Sequence, residues 1–232
     1  MPDELRIIGG APTPTTFGTP GIENVIDPTW AAQRSVLKPD EINGNGFNGG
    51  HFRAAGSVAG VTGVAAAGAL FSLRWALANS EVLIKRIAVG AQITTAFTTA
   101  QAVDFDVVAL RAFTAADTGG TAVTPTPGQQ KNRTKFNGNS QVSDLRVTSG
   151  AALGAGTKTA DAQAFGTGAI QQNNTIGSGF GLLELYKHDT MAQHPVMFGN
   201  NEGFNIRVVT AMGAVGVVRF YWAIEWAEVP GL

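Results

Sequence analysis

The sequence predicts an all-β protein, an antiparallel β-sandwich of jelly-roll-like type with an extended N-terminal arm. Three observations support this prediction. Apolar and polar residues alternate in several stretches, clusters of Gly, Asn and Asp separate these stretches, and no long stretch has helical periodicity. Many short strands between turn clusters are typical of a sandwich or a barrel.

The clearest alternation lies in residues 217–229. One parity holds Val218, Phe220, Trp222, Ile224 and Trp226, and the other holds Arg219, Tyr221, Glu225 and Ala227. A strand with this period has one buried face and one face toward solvent. We therefore expect Trp222 and Trp226 in the core and Tyr221 outside. Because an earlier alternating run begins at Phe204, residues 204–229 predict a hairpin.

Three further stretches, residues 69–77, 83–93 and 103–113, alternate in the same way. Their inward residues are predicted to be Ala69, Phe71, Leu73, Trp75, Leu77, Leu83, Ile87, Val89, Ile93, Val103, Phe105, Val107, Ala109 and Phe113. Lys85 interrupts the second stretch, which places it near a strand end. Val108 and Leu110 fall on the outward face, where apolar residues predict a subunit contact. Weaker strand candidates are residues 141–148 and 157–165.

Residues 1–50 differ from the rest of the chain and are interpreted as an extended arm that precedes a β-sandwich domain of residues 51–232. They hold six of the ten prolines and sustain neither the helical nor the strand period. Proline fixes φ and lacks the main-chain donor, so this segment predicts no central strand and no long helix. An arm of this kind is either disordered or ordered by lying on a neighbouring subunit.

The composition bounds the class of function. A 232-residue chain with 44% hydrophobic residues can bury a large core, but only 14% of its residues are charged, against about 25% in typical domains. We interpret this as a surface that other subunits cover; the alternative is a secreted β protein with a Thr/Asn-rich face. The net charge of −1 and the absence of a basic stripe predict no nucleic-acid binding. The absence of Cys excludes disulfides and fits a reducing compartment or an exported particle.

Two segments bear on membrane association. Residues 1–20 contain acidic residues and prolines and lack a long apolar core, so they predict no signal peptide. Residues 54–73 contain no charge except Arg53 just before them, yet they are mostly Ala, Gly, Ser, Thr and Val, which supply little transfer energy. We expect a Gly/Ala-rich loop that leads into a strand, and no membrane span.

Two glycine-rich segments, residues 150–159 and 177–181, look like motifs of nucleotide binding and of nucleophilic catalysis, and neither has the required spacing. A phosphate loop places Lys directly after its last Gly, whereas Thr157 lies between that Gly and Lys158. A nucleophile elbow needs Gly-x-Ser-x-Gly, whereas Ser178 directly follows its Gly. We interpret both segments as turns.

The ionisable residues form no recognisable catalytic or metal-binding pattern. The three histidines are His51, His188 and His194. We expect them on surface loops, and we expect Asp104 and Asp106 to be solvated on one strand face. Glu202 is predicted to bind main-chain amides at the start of a strand. The sequence assigns no partner to Asp144, Asp161 or Glu184. Because catalysis needs groups that converge, we predict no enzyme, no cofactor and no metal.

Several segments together carry a resemblance to a family. They are Phe71-Ser-Leu-Arg-Trp75, Val89, Ala109-Leu-Arg-Ala-Phe-Thr-Ala-Ala-Asp-Thr-Gly-Gly-Thr-Ala-Val123, Ala152-Leu-Gly-Ala-Gly-Thr-Lys158, Asn201-Glu-Gly-Phe-Asn-Ile-Arg207 and Glu225-Trp-Ala-Glu-Val229. This set resembles uncharacterised β-rich virion structural proteins of tailed bacteriophages over roughly residues 70–229. The resemblance implies a component of a phage particle, made in the cytoplasm of the bacterial host, without implying which component. Residues 1–50 have no part in it.

Within such a particle we predict a capsid decoration, or cement, protein on the outer surface of the head. It is expected to form a homotrimer and to bind the major capsid protein. A protein that bridges neighbouring capsomers stabilises the shell, and many repeated contacts multiply a small contribution from each. The alternative is a tail, baseplate or fibre component that attaches to a host-surface glycan, with an outward aromatic residue such as Tyr221 as a stacking platform. A hydrolase is a third possibility, which no paired acid or triad supports.

Overall fold

The structure, a computed structural model, describes residues 22–27, 32–37, 50–125, 139–142, 144–171, 175–177, 179–188 and 195–230. These residues form strands, turns and loops and contain no helix. In chain order the strands are β1 (Ile22–Asp27), β2 (Ala32–Leu37), β3 (Gly50–Val61), β4 (Ala69–Trp75), β5 (Ser80–Thr95), β6 (Ala102–Arg111), β7 (Thr121–Ala122), β8 (Asp144–Val147), β9 (Thr159–Gln171), β10 (Gly179–Lys187), β11 (Met197–Phe198), β12 (Glu202–Val208) and β13 (Val217–Pro230).

Two antiparallel sheets pack face to face. Sheet 1 has the order β10-β5-β13-β3, with β11 added beside one end of β5. Sheet 2 has the order β7-β8-β4-β12-β6-β9. Every pairing between neighbouring strands is antiparallel. The predicted antiparallel β-sandwich is therefore confirmed.

The order of the eight long strands makes this sandwich a jelly roll. Counted along the chain, these strands are β3, β4, β5, β6, β9, β10, β12 and β13. Sheet 1 then reads first, eighth, third, sixth, and sheet 2 reads second, seventh, fourth, fifth. Successive strands thus alternate between the sheets in the nested Greek keys of a jelly roll.

The core lies between the sheets and is rich in aromatic side chains. Phe71 of sheet 2 meets Trp222 of sheet 1 with ring centroids 5.1 Å apart, and Phe105 meets Phe220 at 5.7 Å. Both predicted core tryptophans of β13 are buried. The predicted inward residues of the three earlier stretches are also buried, except Leu77, which is 37% exposed beyond the end of β4. Large offset aromatic pairs therefore join the two sheets.

The prediction that Lys85 lies near a strand end is wrong. Lys85 lies within the 16-residue strand β5, where the register against β13 skips one residue. This extra residue is a β-bulge, which reverses the parity of the strand. Val82 and Ile84 are consequently buried before the bulge, and Ile87 and Val89 are buried after it. A single-parity pattern cannot represent such a change.

Two predictions about the connections are also wrong. β12 and β13 do not form a hairpin, since β12 lies between β4 and β6 in sheet 2 and β13 lies between β3 and β5 in sheet 1. The first part of residues 54–73 is not a loop, because β3 pairs with β13 along its length. Small residues suit β3 because a Cβ at Gly56 would lie 3.0 Å from the Trp222 ring. The weaker candidates in 141–148 and 157–165 are strands, β8 and β9.

The N-terminal segment contains two strands that its sequence pattern does not predict. β1 and β2 pair with each other as a separate two-stranded antiparallel sheet. Neither strand contains proline, and the prolines at 20, 28 and 39 flank them, as expected for residues that cannot donate to a ladder. The other residues of the predicted arm before Gly50 lie outside the residues that the structure describes.

Candidate functional site

Lys158 holds two loops against the outer face of sheet 2. Its ammonium pairs with Asp117, whose side chain is fully buried, and lies 4.9 Å from the centre of the Phe113 ring. With the Asn205 amide turned to donate to Ser72 Oγ, its oxygen accepts from Lys158 Nζ at 2.9 Å. Lys158 therefore ties the loop before β9 to the loop after β6, a structural role in place of phosphate binding.

The same arrangement explains why the predicted outward apolar patch is wrong. Val108 and Leu110 are each only 1% exposed. Asn205, which is opposite Val108 in the register, bonds to Lys158 of the covering loop. The apolar residues on this face of β6 are thus buried within one chain, and they supply no subunit contact.

The acidic residues without a partner in the sequence each have one in the fold. Asp144 accepts from Arg74 Nη1 at 2.6 Å, Asp161 lies 3.3 Å from Arg111 Nη2, and Glu184 lies 2.6 Å from Arg86 Nε. Every one of these pairs joins residues on different strands. Exposed pairs of this kind contribute little to stability, so they mainly fix the register of charges on the surface.

Asp104 and Asp106 share a strand face as predicted, and both are engaged. Asp106 accepts two bonds from Arg207, at 2.7 and 2.8 Å, and this hydrogen bonding raises the pKa of the Arg207 guanidinium. Asp104 accepts from the main chain and the hydroxyl of Thr210, both at 2.8 Å. The two carboxylates therefore serve β12 and the loop after it, and they do not converge on a shared ligand.

The remaining predicted positions do not meet in one place. His51 lies in β3 and His188 directly follows β10, whereas His194 lies outside the described residues. Among the residues that the structure describes, no group of three His, Asp or Glu side chains could hold a metal ion. Glu202 accepts from the Gly199 amide at 3.0 Å, as predicted, and its other oxygen pairs with Arg111 at 2.6 Å.

Glu228 is a buried carboxylate that sequence reasoning missed. Its side chain binds the hydroxyl of Ser140, the main-chain amide of Gln141 and the indole nitrogen of Trp226 at 2.6 to 3.0 Å. Burial raises the pKa of Glu228, and the hydrogen bonds oppose that rise. Glu228 thereby fastens the segment before β8 to the end of β13.

This raised pKa predicts a pH-dependent stability. A carboxyl group with a higher pKa in the folded state than in the unfolded state contributes a stability that is lost as pH rises from its unfolded pKa through its folded pKa. We expect E228Q, measured by urea unfolding, to gain stability relative to the wild-type chain as pH rises through that window. E228A should instead cost about 3 kcal/mol at every pH, because it leaves buried donors without an acceptor. A difference between E228Q and wild type that does not change with pH would contradict this role.

A groove lies on the outer face of sheet 1 around Tyr221. Its volume is about 290 Å³, and its described lining consists of Gln92, Leu182, Tyr221 and the glycines at 177, 179 and 181. The Tyr221 hydroxyl donates to Gln92 Oε1 at 3.2 Å. Tyr221 is thus outside the core, as predicted, and no charged side chain is among these lining residues.

The second exposed feature of sheet 1 is the edge of β3. Within the described residues β3 pairs only with β13, so its other edge has no partner strand there. Ala55, Gly56, Ser57, Ala59 and Gly60 are exposed. A long edge strand presents unpaired main-chain donors and acceptors to any chain that can add a strand.

Comparisons of the chain with models of known protein families, with curated proteins and with solved structures found no match. Across the described part of the chain, no helix is long and apolar enough to cross a membrane. The functional argument therefore depends on the chemistry of the surfaces described above.

Proposed function

We propose that this chain is a structural protein of a tailed-bacteriophage particle that acts as a capsid decoration, or cement, protein. In this role it forms a homotrimer and binds the major capsid protein on the outer surface of the head. The observation that carries the proposal is the open edge of β3 on a rigid jelly roll. Such a body can join neighbouring subunits by adding main-chain hydrogen bonds across subunit boundaries.

The sequence of β3 supports an edge that a partner covers. Natural β proteins protect exposed edges with Lys, Pro, short strands or an inward charge. Residues 54–60 of β3 contain none of these, and their side chains are small enough for another backbone to approach closely. An uncovered edge of this kind would promote aggregation, so a specific partner is the simplest way to satisfy it.

The low charge content supports the same role. Charged groups cost free energy when an interface removes their water, and interface cores are depleted of them. With only 14% charged residues, large areas of this chain can be covered at little such cost. The N-terminal segment that directly precedes β3 is well placed in the sequence to take part in these contacts.

The decisive experiment compares particles with and without this chain. We expect particles that lack it to adsorb normally to host cells but to release their genome at a lower temperature or at a higher minimum salt concentration. The measurement is the fluorescence of a DNA-binding dye during heating or dilution. Unchanged head stability with lost adsorption would overturn the decoration role and favour the tail role.

A matched pair of variants connects this result to β3. A55K adds a charged edge-blocking residue to the exposed part of β3, and A162K adds the same residue to an exposed position of β9. Added back to particles that lack the chain, A162K should restore heat stability and A55K should not. Equal restoration by both variants would show that the β3 edge is not the binding surface.

The alternative function is host attachment as a tail, baseplate or fibre component. The groove around Tyr221 favours it, because an exposed concave surface with an aromatic residue suits ligand capture. The two roles predict opposite outcomes in the particle comparison. Hydrolysis of glycan or peptidoglycan by the purified chain would contradict both.

A further inference from the structure

The groove on sheet 1 owes its shape to glycines that have different physical reasons. A Cβ at Gly179 would lie 2.7 Å from the Ala91 carbonyl, and Gly177 has a φ of 86° that disfavours other residues. Gly181 has neither constraint, since nothing lies within 4 Å of a Cβ placed there. Glycine inside a strand destabilises it and often marks a place where a ligand approaches. Gly181 thus leaves open a volume that packing does not require.

The polar groups of the groove are held in place and keep unused hydrogen-bonding capacity. Tyr221 lies opposite Ser57 on β3 and Gly90 on β5, so no bulky side chain faces it across either neighbouring strand. Its hydroxyl fixes the Gln92 carbonyl oxygen. Within the described residues, the Gln92 amide nitrogen has no partner and can donate to a ligand.

The position of the groove narrows the class of ligand. β5 and β13 are interior strands with a partner on each side, so an extended peptide could not add main-chain hydrogen bonds here as it would at a sheet edge. A phenol ring, an amide and bare glycine main chain suit a ligand with an apolar face and many hydroxyl groups. These are the properties of a saccharide.

We propose that the groove formed by Tyr221, Gln92, Leu182 and Gly181 is a saccharide-binding site. A sugar ring lies over the Tyr221 face, and its hydroxyl groups accept from the Gln92 amide. The exposed Arg219, which is opposite Gln92 in the register, lies in position to favour sugars with a carboxylate. This site does not depend on the decoration role, since it occupies the face of sheet 1 and that role uses the edge.

Fluorotyrosine labelling tests the site directly, because the chain has two tyrosines. Tyr186 serves as an internal control, since its hydroxyl accepts from the Val196 amide at 2.9 Å and its ring packs edge-on against Phe165. The probes are maltopentaose, chitopentaose and an oligogalacturonate at millimolar concentrations. We expect at least one of them to shift the Tyr221 fluorine resonance saturably while the Tyr186 resonance stays fixed.

Three variants complete the test. G181L fills the open volume and should weaken saccharide binding by at least about tenfold, whereas A162L, an exposed control on β9, should leave binding unchanged. R219A should affect only the acidic oligosaccharide. Absence of a Tyr221 shift with all three probes, equal shifts of both tyrosines, or undiminished binding by G181L would each overturn the proposal. A Tyr221 shift caused by peptides and by none of the saccharides would also overturn it.

Discussion

Replacement of Trp222 by alanine is expected to lower the free energy of unfolding by about 3–5 kcal/mol, the range for truncating a large buried aromatic residue. The Trp222 side chain is 4% exposed and lies between Phe71 of the opposite sheet and Gly56 of the neighbouring strand. Its loss removes the main aromatic contact that joins the two sheets at this level. Urea unfolding followed by circular dichroism measures the change.

The matched control for Trp222 is Arg219 on the same strand. Arg219 is exposed on the opposite face of β13, so R219A should change the unfolding free energy by no more than about 0.5 kcal/mol. Comparable effects of the two substitutions would show that the assigned faces of β13 are wrong. Strong quenching of Trp222 fluorescence by a soluble quencher in the native chain would contradict the assignment as well.

Replacement of Lys158 by alanine is expected to have an effect of similar size, about 3–5 kcal/mol, because it leaves a buried carboxylate without its counter-ion. The Asp117 side chain has no exposed surface, and the Lys158 side chain is 12% exposed. The substitution also removes the bond from Lys158 to Asn205. The two loops over sheet 2 should then exchange amide hydrogens faster than the core strands.

A double variant separates the unpaired charge from the loss of packing. Asp117 Oδ1 also accepts from the Gly156 amide at 2.7 Å, and an asparagine oxygen can keep that bond. D117N combined with K158M removes both charges and retains most of the volume, so it should be clearly more stable than K158A alone. If the double variant is as unstable as K158A, the buried charge is not the cause.

The strand pattern predicted the core well where a strand has a single parity. β4, β6 and β13 bury the faces that alternation assigns to them, because a regular pleat places every second side chain on the same side. The pattern failed at Lys85, where a bulge reverses the parity, and in β3, where alanine, glycine and serine give no apolar alternation. In both places the partner strand β13 decides the structure, and local sequence does not contain that information.

The candidate site was predictable only in part. Alternation alone indicated that Tyr221 lies outside the core. The groove itself depends on a turn almost 40 residues earlier in the sequence, where Gly177 donates to the Ile93 carbonyl at 2.9 Å and brings the start of β10 beside β5. The open edge of β3 likewise follows from strand order and not from any motif.

The sequence by itself determined the fold class, the buried face of most long strands and the scarcity of reactive groups, because period, composition and turn residues are local properties. Only the tertiary structure decided the strand order of the jelly roll, the burial of Val108 and Leu110, and the partners of Asp117 and Glu228. These depend on contacts between residues far apart in the chain. Such contacts form because each sheet must bury its apolar face against the other, and a buried charge must then find whatever partner that packing brings near.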